Sequence, residues 1–177
     1  MNTRKSQRGI TWVETSIVLA VVAIVASQAA PSMARVIDAR RLEGVAVQFA
    51  TDVQYARTES VARNQPVRLS LHNSAAASCY VLHTGTAAQC TCAAAVPALC
   101  SGGAQEIRTV VLPAADGVAI AANAASVLFD PLHGTSTPAA TFRILGRQSR
   151  AIHQVINVMG RVRSCAPGAA VAGYPNC

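Results

Sequence analysis

The sequence predicts an α+β fold in which one long N-terminal helix packs on a C-terminal antiparallel β-sheet domain. Apolar residues dominate residues 10–30, and apolar residues at helical spacing then continue to about residue 63. From residue 64 onward the chain changes to short runs rich in Val, Leu, Ile and Thr, which Gly, Pro and Asn separate. A helix followed by a series of strands is the pattern of the α+β class.

The first element is an apolar stretch that is long enough to cross a bilayer. Residues 10–30 would form a helix of about 32 Å, close to the hydrocarbon thickness of a membrane. Three basic residues, Arg4, Lys5 and Arg8, precede this stretch. It contains one acid, Glu14, and an unpaired carboxylate inside a membrane costs about 2.5–3.5 kcal/mol. Glu14 is therefore expected to have a partner.

The basic leader that ends at Gly9, with Glu14 as the fifth residue after it, resembles the class III leader of type IV pilins and pseudopilins. The resemblance implies that a prepilin peptidase cuts between Gly9 and Ile10 and methylates the new N-terminus. The mature amine and the Glu14 carboxylate would then supply opposite charges that help a subunit dock into a filament. Ile10 departs from the Phe that is usual at this position, and Trp12 and Thr15 stand where aliphatic residues are usual.

An ordinary cleaved secretory signal and a plain membrane anchor are the alternative interpretations of the N-terminus, and the signal has the more specific features. Its basic start, its apolar run and its small-x-small sites near residues 27–29 and 32–34 are all present. Glu14 at the start of the apolar region argues against it. We therefore predict a leader peptide over residues 1–9 and a transmembrane helix over residues 10–30, which anchors a periplasmic domain in the inner membrane.

The helix is predicted to continue as an amphipathic segment over residues 31–63. Pro31 is expected to kink the helix or to mark its exit from the membrane. Beyond it, apolar residues recur at helical spacing while charged residues lie mostly on the opposite side. The sequence Asn64-Gln65-Pro66 is expected to end the helix, because the residue before a proline disfavours helical backbone.

Residues 64–177 are predicted to form the β-rich domain on which this amphipathic segment packs. Strict alternation in residues 67–71 indicates a half-buried strand, and residues 79–83 and 106–112 form two further runs. Shorter candidate strands follow at residues 118–120, 127–129, 141–145 and 152–158. Residues 84–103 have no clear period, and we interpret them as a loop tied by disulfides.

Six cysteines follow the apolar stretch. An even number on the exported side of a membrane indicates disulfides formed in an oxidising compartment. Six cysteines permit 15 pairings, and the sequence does not select among them. The preferred hypothesis joins Cys165 to Cys177 and leaves the other four to pair with one another: Cys79, Cys90, Cys92 and Cys100. A zinc site is disfavoured because one residue separates Cys90 from Cys92, where zinc sites usually have two to four.

Positive charge is concentrated at the C-terminal end of the chain. The sequence has 15 Lys and Arg against 8 Asp and Glu, and from residue 131 onward it has five Arg and no acid. This imbalance indicates a polyanionic partner such as nucleic acid, anionic lipid or an acidic protein. If residues 160–163 are extended, the side chains of Arg161 and Arg163 share one face about 6.5–7 Å apart, near the spacing of phosphates on one DNA strand.

The end of the chain resembles FimT/GspH-type minor pilins in two segments, Phe129–Pro138 and Gly160–Cys165. The second segment matches the G-R-x-R motif of FimT-like minor pilins associated with natural transformation. The resemblance implies that Gly160, Arg161 and Arg163 contact incoming double-stranded DNA without sequence preference. Three further arginines are candidates only because they are nearby in sequence and unopposed by acids: Arg143, Arg147 and Arg150. The alternative for all of them is a solvated strand edge.

The main functional prediction is therefore a minor type IV pilin that enters the pilus and binds extracellular DNA for uptake. One alternative is a GspH-like minor pseudopilin of a type II secretion system, with a structural role at or near the filament tip. The other is an exported disulfide-bonded domain that enters no filament. Other pilin subunits, the prepilin peptidase, the inner membrane and double-stranded DNA are the predicted partners. The sequence has no catalytic or nucleotide-binding motif, so no enzyme activity, cofactor or metal is predicted.

Overall fold

The computed structural model describes residues 11–93, 98–169 and 171–177. It divides into two compact units, one that ends at Ile37 and one that spans Asp38–Cys177. Within the described residues one α-helix, α1, runs over Trp12–Arg63 and contains the boundary between the units. The predicted cleavage point between Gly9 and Ile10 lies outside the described residues.

The first unit contains the apolar part of α1. This part has the length and hydropathy of a membrane span, and its most apolar stretch has no buried side chain. Trp12 is 86% exposed, and the large apolar side chains that follow it as far as Val25 are also open. The hydroxyl of Thr11 accepts a hydrogen bond from the backbone N–H of Glu14 at 3.3 Å, as an N-cap residue does. The backbone is still helical at Pro31.

In the second unit, α1 is amphipathic, and its apolar residues recur at intervals of three and four positions. The inward-facing side chains are at most 1% exposed: Leu42, Ala46, Phe49, Val53 and Ala56. The helix ends in a Schellman motif. The N–H groups of Asn64 and Gln65 donate to the carbonyls of Val61 and Ser60, and Asn64 has a left-handed backbone with φ of 49°. Pro66 then follows, which cannot continue the helix.

Antiparallel strands make up the rest of the second unit. A five-stranded sheet has the order β5-β2-β1-β7-β8. Its strands are β1 (Val67–Asn73), β2 (Ala77–Thr84), β5 (Glu106–Pro113), β7 (Ser126–Phe129) and β8 (Ser136–Thr137). The short strands β3 (Cys90–Thr91) and β4 (Leu99–Cys100) pair with each other in the segment that the sequence predicted to be a loop.

A second sheet has four strands in the order β11-β10-β9-β6. Its strands are β6 (Ala119–Ala122), β9 (Ala140–Leu145), β10 (Ala151–Ile156) and β11 (Val162–Cys165). The predicted strand over residues 152–158 is shorter than expected, because Asn157 begins a turn that leads into β11. This order makes β10 a central strand, and its side chains alternate between the core and the outer face of the sheet.

The core joins α1 to both sheets. The ring of Phe49 lies 5.2 Å from that of Tyr80 on β2 and 4.8 Å from that of Phe142 on β9, between ring centroids. Polar side chains add directional contacts: Asp52 is fully buried and accepts a hydrogen bond from the hydroxyl of Tyr80 at 2.7 Å, and it pairs with Arg108. The observed architecture of a long helix on antiparallel sheets confirms the predicted α+β, pilin-like fold class.

Candidate functional site

Glu14, the predicted assembly residue, lies in the first turn of α1. The sequence Thr11-Trp12-Val13-Glu14 has the spacing of a capping box, and the hydroxyl of Thr11 accepts the backbone N–H of Glu14. A carboxylate at this position also interacts favourably with the positive end of the helix dipole. The side chain of Glu14 is exposed. Its role in assembly stays a prediction, because Gly9 and Ile10 are not among the described residues.

The predicted DNA-contact residues begin at the turn between β10 and β11. The N–H of Gly160 donates to the carbonyl of Asn157 at 2.9 Å, and the N–H of Asn157 donates to the carbonyl of Arg161 at 3.1 Å. The side-chain oxygen of Asn157 accepts the N–H groups of Met159 and Arg161 at 3.1 and 3.0 Å. Gly160 has φ of 70°, which favours glycine at the end of this turn.

Gly160 is buried, and its neighbours explain why a glycine stands there. A Cβ at this position would lie 2.8 Å from the carbonyl oxygen of Gly134 and 2.9 Å from Cδ of Arg57 on α1. The Nε of Arg57 donates to the same carbonyl oxygen at 2.8 Å. The turn is also tied to Ser136 of β8, which donates from its N–H to Val158 at 2.9 Å. Gly160 therefore fixes where the following arginines leave the turn.

Arg161 and Arg163 are both exposed, while Val162 and Ser164 beside them are half-buried. This alternation is what an extended segment produces, so the two arginines project from the same side of the chain. Ser164 points the other way and donates to the side-chain oxygen of Gln154 at 2.7 Å. Neither Arg161 nor Arg163 has an ion pair with any residue in the described part of the chain.

The three additional arginines occupy different environments. Arg143 on β9 is exposed and has no ion pair within the described ranges. By contrast, Arg147 lies 3.7 Å from a carboxylate oxygen of Asp38 and donates to the carbonyl of Ala115 at 3.2 Å. Arg150 donates to the side-chain oxygen of Gln148 at 2.9 Å. Arg147 and Arg150 are thus held in local contacts, whereas the side chain of Arg143 is exposed to solvent.

Strand pairing places Arg143 on the same face of the four-stranded sheet as Arg163. Arg143 lies opposite His153 on β10, which lies opposite Cys165 on β11, and Arg163 is two positions from Cys165 along that strand. From ordinary strand dimensions, Arg143 and Arg163 are roughly 12 Å apart. We call this surface, defined by Arg143, His153, Arg161 and Arg163, the basic face. The sheet that carries it contains no acidic residue in its strands.

The sequence alone did not single out His153 as part of this surface. Its ring borders a concavity together with Thr141, Val155, Arg163 and the Cys165–Cys177 pair. Burial, followed by the positive charge of Arg143, lowers the pKa of His153 below that of a free histidine. The alternation of residues in β9 and β10 could have indicated that His153 belongs to this face. It does so only once the register is known, because the register places positions 143 and 153 opposite each other.

The six cysteines form three disulfides, which agrees with the prediction that the chain is disulfide-bonded. Cys165 is joined to Cys177, Cys79 to Cys92, and Cys90 to Cys100. Cys90 and Cys100 are directly opposite each other in the β3–β4 pair. The Cys165–Cys177 bond closes the end of the chain onto β11, beside the basic face.

Comparison with known proteins gives one family assignment. Residues 45–160 match the family model described as type II transport protein GspH. Searches of curated proteins and of solved structures find no match. The matched span includes α1 from Val45 onward and both large sheets except β11, and it ends at Gly160, before Arg161 and Arg163.

Proposed function

Because this chain belongs to the GspH family of type II transport proteins, we propose that it is a minor pseudopilin of a type II secretion system. The family consists of structural filament subunits rather than enzymes. The family match favours this alternative over the DNA-uptake pilus that the sequence first suggested, because the matching family is that of a type II transport protein. The single observation that carries the proposal is the match over residues 45–160.

The apolar part of α1 supports a filament role. Its large side chains are exposed along the stretch that begins at Trp12, and they need either lipid or other subunits to cover them. A single N-terminal apolar helix fits a single-pass inner-membrane anchor, which leaves the second unit in the periplasm. The partners are then other pilin or pseudopilin subunits, and the prepilin peptidase acts at Gly9. In the assembled filament, the carboxylate of Glu14 faces the amine of a mature N-terminus.

The first experiment determines the mature N-terminus of the exported protein by mass spectrometry. A start at Ile10 with a methylated amine is the expected result, and a start near residue 30 or 35 would contradict the filament role. The second compares Glu14→Gln with Glu43→Gln in a strain that lacks the chromosomal copy. Glu43 is a matched control because it is an acid of the same helix, paired with Arg40 in the second unit.

Loss of type II secretion with Glu14→Gln, but not with Glu43→Gln, supports the proposed assembly role. Normal secretion in the strain without any copy would contradict the proposed function. The neighbouring genes give an independent check, since secretion components are expected for a pseudopilin and pilus or competence genes for a DNA-uptake pilin.

A second candidate function is sequence-nonspecific binding of double-stranded DNA by the basic face. The observation that favours it is the presence of three exposed arginines, Arg143, Arg161 and Arg163, without an acidic partner in the described residues. Guanidinium groups suit phosphate because they donate two parallel hydrogen bonds. If all three contact phosphates, the slope of log K against log salt concentration should be about −2.7.

The test is an electrophoretic shift of a DNA duplex by the full chain in detergent, at several salt concentrations. Changing both Arg161 and Arg163 to Gln should abolish the shift at low salt and reduce transformation. Arg40→Gln with Arg63→Gln is the matched control, because it removes the same charge from two arginines that are ion-paired on α1. An equal loss in the control would show that net charge, rather than the basic face, is responsible.

A further inference from the structure

His153 differs from the other histidines of the chain in having no hydrogen-bond partner among the described residues. His72 contacts the carbonyl of Cys90, His83 contacts Ser70 and Thr84, and His133 contacts Asp130. The ring of His153 is only partly exposed. The imidazole of His153 is therefore open to a ligand that approaches from solvent.

Two sulfur atoms lie close to this imidazole. His153 on β10 lies directly opposite Cys165 on β11, and Cys165 is bonded to Cys177. A ring nitrogen of His153 and the two Sγ atoms all lie within 4.8 Å of one another. Cys165 is buried and held in the strand, whereas Cys177 is exposed. One imidazole and two thiolates are a ligand set that zinc uses in proteins.

The disulfide prevents these three residues from binding a metal ion, because bonded sulfurs are not thiolates. A dithiol reductant that cleaves the bond transfers two electrons and two protons to it, and the reductant becomes a disulfide. Binding of Zn²⁺ then releases the two thiol protons and leaves two thiolates and a neutral imidazole as ligands. Thr141 and Arg163 line the same concavity as these three residues, and a water molecule there would supply a fourth ligand.

The geometry needs only a small rearrangement. A tetrahedral zinc ion with Zn–S bonds of about 2.3 Å holds two thiolate sulfurs about 3.8 Å apart. A disulfide bond holds its sulfurs about 2.05 Å apart, so the sulfur of Cys177 must move by roughly 1.7 Å relative to that of Cys165. Cys177 belongs to the exposed end of the chain, which is held near β11 by hydrogen bonds from Ala166 to Pro175 and from Cys177 to Ala166. This tether keeps the thiol close after reduction.

The side chains around the proposed site determine which metal ion it can bind. Arg163 borders the same concavity, and Arg143 lies opposite His153 on β9. Two thiolates would balance the charge of one Zn²⁺ beside these guanidinium groups. The strands of this sheet contribute no carboxylate, so Ca²⁺ and Mg²⁺, which prefer oxygen ligands, are disfavoured.

We propose that reduction of the Cys165–Cys177 disulfide opens a zinc site formed by Cys165, Cys177 and His153, so that the disulfide and the metal exclude each other. This inference is independent of the proposed filament role. It gives a newly exported chain, before oxidation, a means of holding its C-terminal end against β11 through a metal ion.

The test uses Co²⁺ as a spectroscopic substitute for Zn²⁺ with the full chain in detergent. Limiting dithiothreitol under anaerobic conditions should reduce the pair that contains the exposed Cys177 before those that contain the buried Cys79 and Cys90. Alkylation and peptide mass spectrometry identify which thiols are free. The reduced chain should bind one equivalent of Co²⁺ with a thiolate charge-transfer band, which Zn²⁺ then removes, while the oxidised chain should show no band.

His153→Gln should weaken Co²⁺ binding by roughly 100-fold or more, since even the loss of a residue that only orients a ligand costs 10–100-fold. His72→Gln is the matched control and should bind like the unmodified chain. The Cys165→Ser, Cys177→Ser double variant, which keeps the other two disulfides, should show no thiolate band. A band that persists in that variant, or equal affinity with His153→Gln, would overturn the proposal.

A second readout does not depend on the variants. Zn²⁺ should protect Cys165 and Cys177 of the reduced chain from alkylation, by at least tenfold in rate, while Mg²⁺ should give no protection. Near-UV circular dichroism of the same samples reports whether the domain is folded. Unchanged alkylation rates in a folded, reduced chain would contradict the proposal.

Discussion

Replacing Gly160 with Ala should destabilise the second unit by about 2–4 kcal/mol. The left-handed backbone at φ of 70° costs a residue with a Cβ about 1–2 kcal/mol. The new Cβ would also lie 2.8 Å from the carbonyl oxygen of Gly134 and 2.9 Å from Cδ of Arg57. Because a carbonyl of the main chain cannot move as freely as the end of a side chain, this overpacking adds about 1–3 kcal/mol. The lower conformational entropy of Ala in the unfolded chain offsets a few tenths to 1 kcal/mol of the total.

Gly103→Ala provides the control for the backbone contribution. Gly103 has φ of 80°, and a Cβ there would meet no atom within 4 Å. Its substitution should therefore cost only about 1 kcal/mol from the left-handed backbone. The difference between the two variants isolates the steric contact of Gly160 with Gly134 and Arg57.

Thermal unfolding followed by near-UV circular dichroism measures both variants in the full chain. For a unit of this size, 1 kcal/mol corresponds to about 3–5 °C in Tm. Gly160→Ala should lower Tm by roughly 6–20 °C and Gly103→Ala by about 3–5 °C. Equal Tm values for the two variants would refute the reasoning that Gly160 is required by close packing. They would also leave its position in the G-R-x-R motif without a structural explanation.

Three further predictions concern the core, the pH dependence and a hairpin. Phe49→Ala should cost about 3–5 kcal/mol in denaturant unfolding, because Phe49 contacts both large sheets, and a cost below 1 kcal/mol would contradict that placement. Burial lowers the pKa of His83, so the unfolded chain binds the proton at a higher pH than the folded chain does. The free energy of unfolding should therefore decline as pH falls below about 6.5, by up to ~1.4 kcal/mol per pH unit. Denaturant midpoints at pH 7 and pH 5.5 measure this decline, which His83→Gln should reduce; an equal decline in that variant would contradict the prediction. Ser149→Gly should raise the free energy of unfolding by roughly 1 kcal/mol, because Ser149 and its neighbour Gln148 have left-handed backbone, with φ of 57° and 59°, which glycine adopts without steric cost. An unchanged or lower Tm would contradict this prediction.

The helix and the first strand were predictable because their apolar residues recur at a clear interval. The α1 core positions from Leu42 to Ala56 follow a helical interval, and β1 alternates strictly over its first residues. The short pair β3 and β4 was not predictable, since two-residue strands carry no period. Their pairing depends on the register that places Cys90 opposite Cys100, and on the disulfide between them.

The candidate site was predicted only in part, for a similar reason. Positions two apart, such as Arg161 and Arg163, can be placed on one face from the sequence, because alternation within a strand is fixed. Which of the other arginines join them depends on pairing between strands. Arg143 shares the basic face, whereas Arg147 lies in the loop after β9 and contacts Asp38. The approach of His153 to Cys165 has the same origin, since twelve positions separate them in the sequence.

The polar contacts between α1 and the sheets set how this subunit resists mechanical load. Apolar side chains allow a helix to slip along a sheet with gradual loss of contact, but hydrogen bonds break over fractions of an ångström. Gln154 donates to the helix carbonyl of Ala46 at 3.0 Å, and Asp52 is held by Tyr80 and Arg108 from the other sheet. A pulling force along the axis of α1 must therefore break hydrogen bonds to both sheets together. The second unit is expected to unfold in one abrupt step under force rather than by gradual sliding of the helix.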